Sequence, residues 1–370
     1  MQPRACPELV EGAQALGLSS KGSSPEGAKE LAIPILEALP GGMQLPSHPT
    51  NRNRWIILAF ILITSALPAT ADSEGSFQRT LRVTGSVNLD VTTGSGNIEI
   101  RTGSSNEVRV TGRIRVHDWF GGNAEDKIKR LENNPPIEQN GNDIRIGHID
   151  DPDLRRDVSI SYELLVPAET QLHSQTGSGG EDIEGINGSL DASSGSGRLK
   201  ISRIGNTVRA GTGSGAIEID QVKGNVHAKT GSGSIHATDV AGGFEGSTGS
   251  GDLRLEQTSA GSVHVSTGSG SIDLRGIRGS LEAGTGSGSI HADGEPTGAW
   301  NVHTGSGSVD IRFAPDAAFD LNAHTSSGRV STDFPIVLEA STGKKDLRGK
   351  VRGGGVSVQI ETGSGNIELH

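Results

Sequence analysis

Aromatic residues are scarce in this chain. Seven Phe, three Trp and one Tyr amount to 3% of 370 residues, too few to build a large enzyme core around rings. Cysteine occurs once, as Cys6, so no internal disulfide can form, and no apolar run precedes it as a lipoprotein cysteine would need. Basic charge is also short: 33 Lys and Arg face 44 Asp and Glu. That balance argues against nucleic acid as a partner, because phosphate binding requires a basic footprint. Residues 1–71 carry five of each sign, so the whole net charge of −11 falls on residues 72–370.

Long hydrophobic runs are missing with one exception. Arg52 and Arg54 precede an apolar stretch from Trp55 to Ala66, followed by Pro68 and Ala69-Thr70-Ala71. A basic start, an apolar middle and an A-x-A site are the parts of a secretory signal peptide, with cleavage expected before Asp72. The stretch is shorter than the roughly 20 apolar residues of a membrane span. Met43 is the natural start, which makes 43–71 the signal peptide and 1–42 an unstructured upstream segment. No second such run follows, so the mature chain is expected to be exported without a membrane span, to the periplasm, the cell surface or the medium.

What is abundant is glycine, 55 residues. The glycines do not fall every third position, which excludes collagen, and 32% hydrophobic residues exclude simple disorder. They recur instead in a phrase, TGSG or SGSG, at Thr176, Ser194, Thr212, Thr230, Thr248, Thr267, Thr285 and Thr304, spaced 18 or 19 residues apart. A period of this size marks a solenoid or another repeat array. Eighteen residues also make five helical turns, but the unit from Thr267 to Gly284 holds five glycines, each costing about 1 kcal/mol in a helix interior. Its apolar residues alternate, Ile272/Leu274 and Leu281/Ala283, which is the period of a strand.

Each unit therefore reads as two short strands and two turns. The first strand points Leu199/Ile201, Ile217/Ile219, Leu253/Leu255, Ile272/Leu274 and Val309/Ile311 inward. The second points Leu190/Ala192, Val208/Ala210, Val226/Ala228, Val263/Val265 and Leu281/Ala283 inward. Phe244 and Trp300 replace Val or Leu in the second-strand column and fill a wider cross-section. Like positions of neighbouring coils should lie about 4.8 Å apart in parallel ladders, and no coil can stand without its neighbours. Two residues before each second strand sit Gly188, Asn206, Gly224, Gly242, Gly261, Gly279 and Gly298. Glycine broken only by Asn predicts a left-handed corner in every coil. Beside the first strand an outward column runs Lys200, Glu218, His236, Arg254, Asp273, His291, Asp310, largely alternating in sign.

The phrase occurs once earlier, at Thr93, leading into Ile98/Ile100 and then Val108/Val110, with Thr111 eighteen residues on. Residues 112–170 interrupt the period. Ala124 to Asn133 predicts a short amphipathic helix stopped by Pro135-Pro136, with strands at Ile144–Ile146 and Val158–Val166. This insertion reads as a small N-terminal cap over the first ladder edge. Residues 72–175 are thus the first coil and cap, and 176–370 the repeat domain. Past Ile311 the period loosens: Thr325-Ser326-Ser327-Gly328, Ser341-Thr342-Gly343 and Thr362-Gly363-Ser364-Gly365 still mark coils, and Lys344–Arg352 is a basic loop. Asn366–Leu369 is expected to form an uncovered last edge, open to self-association.

Tyr162-Glu163-Leu164-Leu165-Val166-Pro167 followed by TGSG, the 18-residue units and the closing TGSGNIEL resemble the putative adhesin family of bacterial β-solenoid domains, over roughly residues 76–370. The resemblance implies an all-β, right-handed parallel β-helix-like solenoid in exported or surface-facing proteins. It implies no established activity or ligand, so no site residue carries over.

The usual chemical signatures are missing. G-x-G never completes a dinucleotide fingerprint, and no phosphate-binding G-x-x-x-x-G-K-[ST] exists. Calcium nonapeptides need Asp at a fixed step, which only Asp252 approaches. No G-x-S-x-G elbow presents a nucleophile. His303 and His324 both precede a turn Thr and could be ladder neighbours, yet two ligands fall short of a zinc site. Thr-x-Ser in every turn is similar to the hydroxyl rows of ice-binding solenoids, but glycine places these hydroxyls at a bend. No catalytic, cofactor or metal residue is therefore assigned, and the chain is not expected to be an enzyme. Three functions are compatible with the pattern: an adhesion-like interaction module at the bacterial cell envelope, binding an unknown protein or glycan; a polysaccharide-active β-helix enzyme; and a scaffold assembling through the C-terminal edge. The first is preferred, because coils without excursions leave nowhere to enclose a sugar chain, and a net charge of −11 repels an acidic one.

Overall fold

A computed structural model describes residues 73–117, 123–340 and 343–370. The expected upstream start, signal peptide and cleavage site lie outside them. Alternation of inward apolar and outward polar side chains gives each coil its two strands, as in Leu199–Ile204 and Val208–Thr212. Among the described residues the strands form two sheets, of 14 and 15 strands, collecting the first and second strands of the coils respectively. The ladders are parallel and in register: Leu199, Ile217, Ile235, Leu253, Ile272, Ile290 and Val309 follow one another across the first sheet. Leu190, Val208, Val226, Phe244, Val263, Leu281 and Trp300 do so across the second. All the inward pairs expected above are buried. The chain folds as a β-solenoid.

The turn phrase has two structural parts. Its Thr is buried at the end of the second strand; Thr230 Oγ1 donates to the Gly215 carbonyl of the preceding coil at 3.0 Å and accepts from Gly233 N within its own turn at 3.1 Å. The same pair of bonds repeats at Thr212, Thr248, Thr267, Thr285 and Thr304. Both glycines of the phrase lie directly against the neighbouring coil, so that a Cβ at Gly231 or Gly233 would overlap the carbonyl oxygen of Gly213 or Gly215.

The second glycine column does stack as one file, but for a different reason from the one expected. A Cβ at Gly188, Gly224, Gly242 or Gly279 would overlap backbone of the coil before it, and of the file only Gly279 has a positive φ. The left-handed corner lies three residues earlier, at Gly185, Arg203, Gln221, Asp239 and Gly276, with φ of 84°, 55°, 56°, 52° and 68°. There it breaks the strand alternation and turns Ile186, Ile204, Val222, Val240 and Ile277 into the core as a further inward column. Burying that side chain offsets the 1–2 kcal/mol or so that a non-glycine residue loses in this conformation.

The N-terminal cap extends both sheets. Ile98–Thr102 and Val158–Val166 continue the parallel ladder, and Glu107–Val116 and Ser73–Arg82 add antiparallel strands outside them. Val108 and Val110 therefore belong to an antiparallel cap strand rather than to an early coil; the second strand of that coil is Val87–Thr93, paired with Thr170–Thr176. The helix Ala124–Asn133 buries Ile128 and Leu131, with Ile128 lying over Gly75 of the edge strand.

The C-terminal end departs most from expectation. Ile367–Leu369 is an interior strand, between Val309–Phe313 and Val330–Thr332, and Val356–Thr362 lies between Trp300–Thr304 and Phe319–Thr325. Thr362 Oγ1 donates to Gly307 at 2.8 Å, as a regular next coil would, while Thr325 donates to Gly365 at 2.8 Å one layer further out. Gly343 follows Ile336–Ala340 and precedes Asp346–Val351, two antiparallel strands of a hairpin, so this phrase marks no coil; Ser341 and Thr342 lie outside the described residues. Trp300, Phe313, Phe319 and Phe334 fill this end of the core, with ring centroids 4.4–6.2 Å apart in contacting pairs.

Candidate interaction face

The outward side chains of the second-strand sheet stand in register from the cap to the last coils. Arg145, Asp90, His173, Asp191, Arg209, His227, Glu245, His264 and Glu282 occupy successive strands. Each histidine faces the carboxylate of the following coil: His227 Nδ1 lies 3.0 Å from Glu245, His264 Nδ1 3.0 Å from Glu282 and His173 Nδ1 3.8 Å from Asp191. The column is polar, half-exposed and one rung apart throughout, so it can exchange hydrogen bonds with a partner laid along it. The same spacing of 18 or 19 residues was readable in the sequence, one place after each inward second-strand residue, but sequence reasoning singled out only the first-strand column.

The column begins in a recess of about 870 Å³, walled by Asn88, Asp90, Asp143, Arg145, His173 and Asp191. Asn88 Nδ2 donates to Asp143 at 2.7 Å, fixing one wall. The first-strand column also stacks as expected: Arg254 pairs with Asp273 at 2.9 Å, and His291 Nδ1 lies 3.6 Å from Asp310. Toward the cap it continues through Asp182 to Glu99, and Arg101, two residues beyond Glu99, is held by Asp182, Glu184 and Glu99 at 2.8, 3.1 and 3.4 Å. The Asp182 hydrogen bond, the largest influence, raises the Arg101 pKa further. These, like the histidine–carboxylate pairs of the second-strand column, are intramolecular pairs.

His303 and His324 are not ladder neighbours. The strand Val356–Thr362 lies between theirs, and Glu361 faces both. His324 Nδ1 meets Asp346 at 2.5 Å, and the His303 ring lies over Gly284. Among the described residues no group of three or more His, Cys, Asp or Glu is placed to hold a metal.

Among the described residues one acid is inside the core. Glu181 takes the inward place that Leu199 fills in the next coil, is 2% exposed, and accepts a hydrogen bond from the buried Ser174 hydroxyl. Burial pushes its carboxyl up to about 7, although the Ser174 bond lowers it. A serine beside a carboxylate suggests nucleophile and base, but both are sealed within the solenoid and reach no substrate. No helix among the described residues is long and apolar enough to cross a membrane.

Residues 205–370 match the family model described as Toastrack DUF4097. That match falls on the coils and supports the adhesin-like solenoid family that the sequence resembles. No curated protein matches the chain. Solved structures similar to it include a putative cell adhesion protein from Clostridium sporogenes, at 10% identity over 80% of this chain and 99% of that one, with a TM-score of 0.20. A putative adhesin from Bacteroides fragilis is 14% identical over 80% and 98%, with a TM-score of 0.28. A putative lipid binding protein from Parabacteroides distasonis is 12% identical over 79% and 96%, with a TM-score of 0.36.

Proposed function

We propose that this chain is an exported, non-catalytic, adhesion-like module that binds a protein or glycan partner at the bacterial cell envelope through the outer face of its second-strand sheet. One observation carries the reading: the in-register histidine–carboxylate column from Asp90 to Glu282, opening in the recess at the cap. A rigid surface of that kind offers repeated polar contacts at the strand spacing. The coils between 176 and 311 keep to 18 or 19 residues, so no loop rises to form a catalytic cleft.

Two experiments test the proposal. On an array of envelope glycans, residues 72–370 should bind a restricted set, and the triple substitution Arg209→Ala, His227→Ala, His264→Ala should remove that binding without lowering the melting temperature. Release of reducing ends from a polysaccharide panel should be nil; measurable release would establish the enzyme reading instead. For export, fractionation of expressing cells should place the chain outside the cytoplasm with Asp72 as its first residue.

A further inference from the structure

The second-strand sheet ends on a hairpin, Ile336–Ala340 paired antiparallel with Asp346–Val351, and Ile336–Ala340 is its edge. Among the described residues three large apolar side chains are exposed, and two of them are here: Val337 at 70% and Leu338 at 57%. Val337 stands beside Lys350 on the outward side of the hairpin. Lys344, Lys345, Arg348 and Arg352 are also exposed around the same two strands. In a chain of net charge −11, residues 329–352 hold six basic side chains and three acidic ones. Two of those acids are already engaged, Asp346 by His324 at 2.5 Å and Asp333 by His370 at 2.8 Å.

From this we infer that the hairpin docks on an anionic lipid surface, at the opposite end of the sheet from the recess described above. With the edge strand laid against the bilayer, Val337 on its outward side and Leu338 on its other side enter the boundary between headgroups and acyl chains, while Lys344, Lys345 and Arg352 face lipid phosphates. Exposed apolar side chains within a basic patch are the combination an anionic bilayer rewards, because it offers apolar depth and negative charge together. A soluble polyanion would use the lysines and leave Val337 and Leu338 in water. The docking is independent of the partner bound by the histidine column, and either can fail without the other.

Co-sedimentation with phosphatidylglycerol–phosphatidylcholine vesicles, and with phosphatidylcholine vesicles alone, tests it on residues 72–370. Binding is expected to the anionic vesicles only and to weaken as salt shortens the screening length. Lys344→Glu with Lys345→Glu should weaken it at least tenfold. Val337→Ser with Leu338→Ser should weaken it at least threefold at an unchanged melting temperature. Absence of binding to anionic vesicles overturns the proposal. So does equal binding of dextran sulfate that the serine pair leaves untouched, which would make this a polyanion site. Concentration-dependent dimerisation abolished by the same serine pair would also overturn it, since the edge would then be covered by a second copy.

Discussion

Gly211 and Gly233 look equivalent in composition and differ completely in surroundings. A Cβ at Gly211 meets nothing within 4 Å, whereas one at Gly233 would overlap the Gly215 carbonyl. Since the coils are held at strand spacing on both sides, Gly233→Ala can be accommodated only by lifting one coil from the next. Its expected cost is about 3 kcal/mol, at the upper end for overpacking. Gly211→Ala should be neutral or slightly stabilising, because it removes backbone freedom from the unfolded chain. Urea unfolding of the two variants makes the comparison. Glu181 gives a second test at this scale. Below about pH 4.5 its carboxyl is protonated whether the chain is folded or not, so burial carries no penalty. As pH rises toward 7 the unfolded chain ionises first, and stability falls by roughly 3 kcal/mol, then stays low. Replacing Ser174→Ala and Glu181→Leu reproduces Ala192 and Leu199 of the next coil. The double variant should be more stable at pH 8 by about that amount and lose this pH dependence, as unfolding measured from pH 4 to 8 will show. The period reveals this site too: an acid in a column of aliphatics is visible once the columns are aligned.

At the scale of the coil, the Thr that opens each turn phrase joins the strand to the stack. In Thr230→Val the shape remains, but Gly233 N–H and the Gly215 carbonyl lose their hydroxyl partner. Leaving these buried groups unpaired should cost about 2 kcal/mol, read as a lowered denaturant midpoint with an unchanged slope. The strands, their inward pairs and the amphipathic helix were legible in the sequence because periods of 2 and 3.6 record which side meets the core. The corner does not lie where the glycine column points. Glycine enrichment suggested positive φ, but those glycines answer to close approach between coils, and the left-handed residues include Arg203, Gln221 and Asp239. The readable signal was the apolar residue after them, Ile204, Val222 or Val240, which falls out of step with the alternation.

Across the whole molecule, sequence order and spatial order agree from Thr170 to Phe313 and part in the cap before and in the strands after. Repeat spacing identifies what a coil is, but it does not say which coil stacks on which once insertions intervene; hence the closing TGSG phrase was legible and its interior place was not. That place has a measurable consequence. Among the described residues Val330–Thr332 pairs only with Ile367–Leu369, and Phe319–Thr325 joins the ladder of the stack through Val356–Thr362. Removing residues 356–370 should therefore release 314–351 and uncover Trp300, while the earlier coils lose only their outermost neighbour. In a solenoid whose stability is a sum of nearest-neighbour terms, the damage should stop within a few coils. Hydrogen exchange on the truncated chain is expected to show lost protection across 319–351 and native protection across 181–257. Protection retained at 319–351 would mean that these strands can stack directly on Trp300–Thr304. Uniform loss through 181–257 would mean that the array unfolds as one cooperative unit instead.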